Sequence, residues 1–194
     1  DGMTLFSAYS DDPEEDNHYT RLIDNDDNIL HSWTHERGPA SMPYLLKDST
    51  MLYPYRLENP SMCNGGVGGG IALYDWDRTV LWDYAFSNDN YQHHHDIQPM
   101  PNGNILVIAW ERHTAFQDEN SEFYGGEGGG WSEMGRQQVQ NPLNQMWSEA
   151  IFEIEMIGED SIDIVWEWHL WDHIVQDLDN TLPNYGIISE HPEL

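Results

Sequence analysis

Three consecutive histidines and an aspartate, His93 to Asp96, are the residues of this chain best suited to chemistry. An imidazole can act as a nucleophile, a general base or a metal ligand, and a nearby carboxylate orients it and makes it more basic. On a regular strand, His93 and His95 point to one face, and His94 and Asp96 to the other. We expect His94 and His95 to be catalytic, and we take Asp96 and His93 as candidates for a metal site whose ion the sequence does not specify. The alternative is that at least one of the three imidazoles only hydrogen-bonds to neighbouring backbone.

A β-hairpin signal follows the histidines. The turn Pro101-Asn102-Gly103-Asn104 lies between two apolar runs, which is a strong local indication of a hairpin. After the turn, residues 105–110 are apolar on both faces, as is typical of a strand covered on both sides. The sequence thus predicts a histidine cluster at the mouth of a sandwiched strand. Arg112 directly follows this strand, and its position makes it a candidate partner for a developing negative charge.

A second dense segment, residues 166–173, reads Trp-Glu-Trp-His-Leu-Trp-Asp-His. Trp168, Trp171 and His173 are candidates for binding an aromatic substrate, because closely spaced aromatic rings and polar groups can line such a pocket. The alternative is that the tryptophans pack between sheets while the polar groups cap a turn. His169 and His173 have the spacing of a helical zinc site, but no Glu follows the first histidine as in the metalloprotease motif.

Two glycine clusters, residues 65–70 and 125–130, do not indicate a phosphate site. Neither ends in the Gly-Lys-Ser/Thr of a phosphate-binding loop, and neither opens an obvious helix. Flexible connections or close backbone approach explain the glycines better.

The overall composition restricts the partners of the protein. At 194 residues the chain is long enough for one domain with a sizeable core, and its nine Trp and ten Tyr argue against disorder. The 35 acidic residues against seven basic ones give a net charge of −28, which disfavours nucleic acids and anionic membranes as partners and suits a salty medium. We interpret the carboxylates as a solvated acidic surface; calcium binding by some of them is the alternative. No apolar run approaches the roughly 20 residues of a membrane span.

The beginning of the chain and its cysteine content give two further expectations. Residues 1–3 have neither a basic nor an apolar signal region, so we expect any signal peptide to have been removed already. Cys63 is the only cysteine, so it has no partner for an internal disulfide.

An internal repeat organises the whole chain. Three segments read as a strand, an acidic turn and a strand that ends at Trp33, Trp82 or Trp166. A second hairpin is predicted after the first two of these segments, at residues 42–53 and 91–111. Four strands per repeat, with a period of roughly 50 residues, is the pattern of β-propeller blades.

The repeat predicts an all-β fold in which residues 1–194 form a partial β-propeller domain. We expect about two and a third four-stranded blades, with a Gly-rich surface-loop insertion at about residues 112–148. Closed propellers typically have about four to eight blades. We therefore expect further blades, from the same precursor or from partner chains, to complete the ring.

The chain resembles the arylsulfotransferase (aryl-sulfate sulfotransferase) β-propeller family over about residues 65–111 and 150–194. The His-His-Asp cluster combined with the Pro-Asn-Gly-Asn turn is the more specific part of the resemblance. The segments that carry it are Gly70–Asp75, Val80–Tyr84, His94–Leu106, Ile164–Trp168 and Trp171–Asp177.

The resemblance implies a secreted, extracellular or periplasmic six-bladed propeller that needs no cofactor. Members of the family move a sulfuryl group from an aryl sulfate to a phenol, without a nucleotide donor, through a transiently sulfated histidine. Further His and Arg side chains balance the charge of the sulfuryl oxygens. By this resemblance the histidine is His94 or His95. The rival hypothesis is a non-catalytic secreted propeller used for binding or assembly, with calcium as a candidate ligand.

Overall fold

Short runs rich in β-branched and aromatic residues, separated by turns that contain Asp, Asn or Gly, form the strands of this protein. The computed structural model describes residues 2–8, 18–116 and 129–192, and its regular structure there consists of strands and two single-turn 3₁₀ helices, Leu170–His173 and Ile188–Glu190. The predicted all-β class is confirmed. The strands are β1 (Met3–Ala8), β2 (His18–Asp24), β3 (Ile29–His35), β4 (Tyr44–Leu45), β5 (Met51–Arg56), β6 (Gly69–Tyr74), β7 (Val80–Ala85), β8 (Tyr91–Pro99), β9 (Ile105–His113), β10 (Met146–Ile157) and β11 (Ser161–His169).

The strands form three antiparallel sheets in which neighbours in the chain are neighbours in the sheet. Sheet 1 contains β1-β2-β3, sheet 2 contains β4-β5-β6-β7, and sheet 3 contains β8-β9-β10-β11. None of the three sheets closes on itself. Among the described residues, no helix is long and apolar enough to cross a membrane.

The three sheets stack in chain order, with sheet 2 between the other two. We call the face of a sheet that points toward the next sheet its front face, and the opposite face its back face. The front of sheet 1 and the back of sheet 2 share one core, and the front of sheet 2 and the back of sheet 3 share another. The first core contains Leu22, Trp33, Met51, Tyr53, Tyr55, Ala72 and Tyr74. The second contains Leu52, Ile71, Trp82, Phe86, Tyr91, Ile97, Ile105, Val107, Ala109, Ala150, Phe152 and Ile154.

A tryptophan on the last strand of one sheet reaches the last hairpin turn of the next sheet. The indole Nε1 of Trp33 donates to the carbonyl of Asp75 at 3.0 Å, and that of Trp82 donates to the carbonyl of Ser161 at 2.9 Å. Buried indole N–H groups need an acceptor. These hydrogen bonds therefore fix how adjacent sheets are placed as well as how they pack.

The acidic turns predicted before these tryptophans are present and have the same construction in sheets 1 and 2. The carboxylate of Asp24 accepts the backbone N–H of Asn28 at 2.9 Å, and that of Asp75 accepts the N–H of Thr79 at 2.7 Å. Asp27 and Arg78 take left-handed backbone conformations, with φ of 63° and 76°. Asp side chains favour such turns because they can replace a backbone acceptor.

The predicted grouping of hairpins into blades is wrong by one hairpin. The sequence places residues 91–111 at the end of a four-stranded unit, but β8 and β9 instead begin sheet 3 and pair onward with β10 and β11. The β4–β5 hairpin likewise joins β6–β7 rather than sheet 1. β5 is buried on both faces from Met51 to Tyr55 and pairs with strands along both edges. Alternation within a strand identifies its faces but does not identify the strands beside it.

The predicted insertion at about residues 112–148 is shorter than expected, and part of it is not a surface loop. β9 continues to His113 and β10 begins at Met146, so the connection covers residues 114–145. In its described second half, Trp131 and Met134 are buried against Trp171 in a third, smaller apolar cluster. The predicted glycine cluster at residues 125–130 falls mostly outside the described residues.

Candidate functional site

The histidines lie on a bulge in β8, which is an edge strand of sheet 3. His93 pairs with Ala109 and Ile97 pairs with Val107, so β8 holds two more residues than β9 over this interval. His95 has a left-handed backbone conformation, with φ of 56°. The expected strict alternation of the three histidines is therefore wrong, because a bulge redirects side chains locally.

The glycine-rich segment 65–70 lies directly against the histidine rings. The backbone N–H of His95 donates to the carbonyl of Gly66 at 2.7 Å. A Cβ atom added at Gly66 would lie 2.2 Å from the His95 ring, and one at Gly68 would lie 2.7 Å from the His93 ring. These positions thus need glycine for close backbone approach, as one of the two explanations of the cluster predicts.

Glu149, His94 and His95 form a chain of hydrogen bonds. The Nε2 atom of His94 lies 2.7 Å from Oε2 of Glu149, and its Nδ1 atom lies 2.7 Å from Nδ1 of His95. The His94 ring is buried and stacks on Trp110 with ring centroids 4.4 Å apart. His95 is exposed. We call this chain the Glu149 relay.

The relay fixes which nitrogen of His95 carries a lone pair. A carboxylate only accepts hydrogen bonds, so Glu149 holds the proton of His94 on Nε2. Burial lowers the pKa of His94 against the opposing effect of Glu149, which favours a neutral ring. The Nδ1 atom of neutral His94 is then an acceptor, and His95 must donate from its own Nδ1. In the neutral tautomer of His95 that this contact selects, the lone pair is on Nε2.

Sequence reasoning missed Glu149. It lies on β10, 55 residues from His94 along the chain. It reaches the relay because it pairs across the sheet with Trp110, on which His94 stacks. No local motif around Glu149 distinguishes it from the other acidic residues of the chain.

His93 is buried and hydrogen-bonded to the backbone, as expected of a residue that supports the fold. It is fully buried, and its Nδ1 atom accepts the backbone N–H of Gly69 at 3.0 Å. Burial lowers the pKa of His93 to about 4, so the ring is neutral near neutral pH. Its geometry is that of the alternative in which an imidazole hydrogen-bonds to neighbouring backbone.

Asp96 is held by hydroxyl groups rather than by His93. Its carboxylate accepts the Ser41 hydroxyl at 3.0 Å and the Tyr44 hydroxyl at 3.1 Å. Burial, together with the Asp96 charge, raises the pKa of Tyr44 to about 12. Within the described ranges, no group of three or more His, Cys, Asp or Glu side chains is arranged to hold a metal ion.

The side-chain hydrogen bond of Arg112 is made outside the relay. Its Nη2 atom donates to the carbonyl of Ser61 at 3.0 Å. The structure therefore uses this guanidinium to tie the end of β9 to the segment before the glycine-rich loop.

The three aromatic candidates near the end of β11 do not share one pocket. Trp171 is buried, stacks on His113 with ring centroids 3.7 Å apart and donates to the carbonyl of Gly129 at 2.9 Å. Trp168 and His173 stack on each other, with ring centroids 5.0 Å apart. Trp171 thus belongs to the apolar cluster of the insertion, whereas Trp168 and His173 form a separate pair.

A second cluster of carboxylate and histidine side chains lies inside sheet 3. The Oε2 atom of buried Glu111 is 3.1 Å from Nδ1 of His169 and 3.5 Å from Nε2 of His113. Burial opposes ionisation of Glu111, but the two rings outweigh it and lower its pKa to about 2. Glu111 in turn raises the pKa of His169. We call these three residues the Glu111 cluster.

The Glu111 cluster resembles a Ser-His-acid triad only in composition. Ser148 lies 2.7 Å from Nε2 of His113, the same nitrogen that faces Glu111. In a working triad the acid holds the other ring nitrogen, so that Nε2 is left for the serine. The cluster therefore does not have the geometry of a Ser-His-acid triad.

Comparison with known proteins finds no relative: no family model, no curated protein and no solved structure matches the chain. The fold and the site define an all-β protein of stacked antiparallel sheets that holds a carboxylate–histidine–histidine relay on an edge-strand bulge.

Proposed function

We propose that this protein transfers a sulfuryl group from an aryl sulfate to a phenol through a transiently sulfated His95, without a nucleotide donor. The observation that carries the proposal is the Glu149 relay, which ends in an exposed imidazole whose Nε2 atom bears a lone pair. Histidine can form covalent intermediates that divide one difficult transfer into two easier ones. The resemblance of the chain to arylsulfotransferase-type propellers supplies the reaction class.

In the first step, Nε2 of His95 bonds to the sulfur of the aryl sulfate, and the bond between sulfur and the aryl oxygen breaks. The phenolate leaves with the electron pair and takes a proton from solvent. Positive charge that develops on the His95 ring is relieved as its Nδ1 proton moves toward His94. Glu149 balances the resulting imidazolium.

In the second step, the oxygen of an acceptor phenol attacks the same sulfur, and its proton passes to solvent. The bond between nitrogen and sulfur breaks, and the electron pair returns to Nε2 of His95. The shared proton moves back from His94 to Nδ1 of His95. The relay is then in its starting state, with no cofactor consumed.

A cavity of about 420 Å³ is our candidate for the aryl-binding pocket. This volume lies within the usual range of small-molecule sites. Two aromatic contacts connect the pocket to the relay. The ring centroid of Trp147, which lines the pocket, lies 5.5 Å from that of Trp110, and His94 stacks on Trp110. Arg136 contributes a cation to the pocket and is our candidate for contacting the sulfate, instead of Arg112. The apolar residues that line the pocket are Val139, Pro142, Leu143, Met146 and Trp147.

The proposal includes a finer interpretation of the fold, in which the three sheets are neighbouring blades of a six-bladed secreted propeller. The meander order of the strands, the stacking of the sheets and the repeated contact from tryptophan to turn support it. In propellers, four-stranded blades surround a central channel. The bulge with His95 lies on β8, the edge strand that begins sheet 3, where an inner blade strand would face that channel.

Turnover of an aryl sulfate with a phenol as acceptor tests the proposal. We expect His95→Ala to abolish transfer, because it removes the nucleophile. His191→Ala serves as a matched control, since His191 lies outside the relay and the cavity, and we expect it to transfer at the wild-type rate. Transfer at the wild-type rate by folded His95→Ala protein would overturn the proposal.

A non-catalytic assembly protein is the second candidate function. The observation that favours it is the exposed apolar surface on β11, where Val165 and Trp166 are 48% and 49% exposed. Calcium is part of this candidate only if a chelator lowers the thermal stability or the self-association of the protein. Wild-type stability and association in chelator would remove calcium from it.

A further inference from the structure

The front face of sheet 3 carries apolar side chains that no sheet covers within residues 2–8, 18–116 and 129–192. Trp166 is 49% exposed on this face, although the two inner sheet contacts bury Trp33 and Trp82 almost completely. Strand alternation and the registers of β9, β10 and β11 place further apolar residues on the same face. They include Leu106, Ile108, Ile151 and Trp168, and Trp110 beside the relay lies on the same face.

Trp166 occupies the same structural position as Trp82. In sheet 2, Leu73 pairs with Trp82 and Tyr74 pairs with Val80, which leaves Leu81 as a bulge. In sheet 3, Glu153 pairs with Trp166 and Ile154 pairs with Ile164, which leaves Val165 as the bulge.

The strand registers also change which residues of the sequence repeat are equivalent. In sheet 1 the residue after the bulge is His31, not Trp33, because Leu22 pairs with His31 and Ile23 pairs with Ile29. Trp33 therefore corresponds to Trp168. Trp82 shows in this molecule what covers such a tryptophan: the next sheet, whose last hairpin turn accepts the indole N–H.

The back face of sheet 1 is the other end of the stack, and no sheet of the described residues covers it. Phe6 and Tyr19 are each 37% exposed there. The turn beside this face, from Asp24 to Asn28, has the construction of the Asp75–Thr79 turn that accepts Trp33. Sheet 1 thus presents both parts of a receiving surface, an apolar back face and a last hairpin turn with a suitable carbonyl.

Charge also matches the two end faces. Arg21 pairs with Phe6 on the back of sheet 1. The side chain of Ile154 is buried on the back of sheet 3. Glu153 and Glu155, its neighbours on β10, therefore lie on the front. Arg21 is half-buried, with its guanidinium 5.3 Å from the centroid of the Tyr19 ring. The chain has only seven basic residues, so a cation on an end face is a specific complement to these carboxylates.

We infer that two copies of this chain associate head to tail, with the front of sheet 3 in one copy packed on the back of sheet 1 in the other. The Asp24 turn of the second copy would then accept an indole N–H from the front of sheet 3, as the Asp75 turn accepts that of Trp33. The described residues of each copy form three sheets, so two copies carry six of these sheets, within the roughly four to eight blades of closed propellers. The inference does not depend on the transfer chemistry.

Sedimentation of the full chain tests the inference. We expect a dimer that strengthens with added salt, since salt screens the repulsion between two chains of net charge −28. Trp166→Asp and Phe6→Asp should each give a monomer. Leu178→Asp is a matched control, because Leu178 is 68% exposed but lies on neither end face, and it should remain dimeric. Circular dichroism checks that each variant is folded.

Mixing the two monomeric variants is the sharper test. A head-to-tail contact uses two different surfaces, so the intact front face of Phe6→Asp can pair with the intact back face of Trp166→Asp. We expect the mixture to form a dimer although neither variant does so alone. A monomeric wild-type chain at high salt would overturn the inference, and so would a wild-type dimer whose two folded variants do not complement each other.

Discussion

The Glu149 relay and the Glu111 cluster contain the same side chains, one carboxylate and two histidines, but their surroundings differ. The relay lies on an edge-strand bulge and ends at exposed His95. The Glu111 cluster lies across three paired strands and is buried throughout. In the relay, the chain of hydrogen bonds ends at an exposed ring. In the Glu111 cluster, both histidines face a carboxylate that solvent does not reach.

This difference shows that residue type alone does not decide whether a histidine paired with a carboxylate is exposed or buried. A carboxylate orients a histidine in both places, but only the bulge redirects a ring toward the outside. We therefore expect changes in the relay to lower activity, and changes in the Glu111 cluster to lower stability. Matched substitutions can separate the two.

Neutralising each carboxylate is the strongest test of this contrast. Glu149→Gln should lower transfer by about 10²- to 10⁴-fold, because a Gln amide can no longer favour the required tautomer of His94. Its cost in stability should be small, since the Glu149 side chain is 44% exposed. Steady-state kinetics and urea unfolding of the same samples measure both effects.

Glu111→Gln should have the opposite profile. Loss of one partner from a buried ionic network costs about 3 kcal/mol in the free energy of unfolding. Transfer per folded molecule should remain near wild type. Equal losses of activity in the two variants would remove the distinction between the clusters.

Two glycines with similar backbone conformations give a smaller test. Gly66 and Gly103 have φ of 84° and 94°, so alanine is strained at either position. Only at Gly66 would the added Cβ meet the His95 ring, whereas Gly103 has open space around it. We expect similar losses of stability, of about 1 kcal/mol each, and a loss of about tenfold in transfer for Gly66→Ala alone. Equal transfer rates in the two variants would show that the loop does not position His95.

The pH dependence of stability separates the neutral buried histidines from His169. Burial lowers the pKa of His93 from 6.5 to about 4, so its contribution is full above pH 6.5 and is lost as the pH falls through 4. The expected slope is about 1.4 kcal/mol per pH unit in that window. Because the pKa of His169 is raised by Glu111, its contribution has the opposite sign: it is full below pH 6.5 and is lost as the pH rises.

Urea unfolding between pH 6.5 and 4 measures this slope. His93→Gln should flatten it, because Gln can still accept the Gly69 N–H but has no proton to gain. An unchanged slope in the folded variant would contradict a neutral, buried His93.

The strands and the acidic turns could be predicted from sequence because their signals are local. The alternation of apolar residues and the turn residues predicted the β2–β3, β4–β5, β6–β7, β8–β9 and β10–β11 hairpins, but not β1. The sheet boundaries could not be predicted, because residues 57–68 separate β5 from β6 and local patterns do not show that the two strands pair. For the same reason, the apolar cluster formed by Trp131, Met134 and Trp171 was not apparent.

The candidate site could be predicted only in part. The His-His-Asp sequence pointed to His94 and His95, but the bulge that separates their directions follows from pairing with β9. Glu149 could not be predicted, because it reaches His94 only through the register in which β10 pairs with β9. Ordering His95 ahead of His94 as the nucleophile required both the burial of His94 and the two hydrogen bonds of its ring.

The most direct test of the account is to incubate the protein with an aryl sulfate in the absence of any phenol acceptor. Mass spectrometry of the digested protein should find a sulfate on His95, formed together with a burst of about one phenol per chain. Glu149→Gln should slow the burst. A sulfate on another residue, or phenol release during steady turnover with no labelled histidine, would contradict the account.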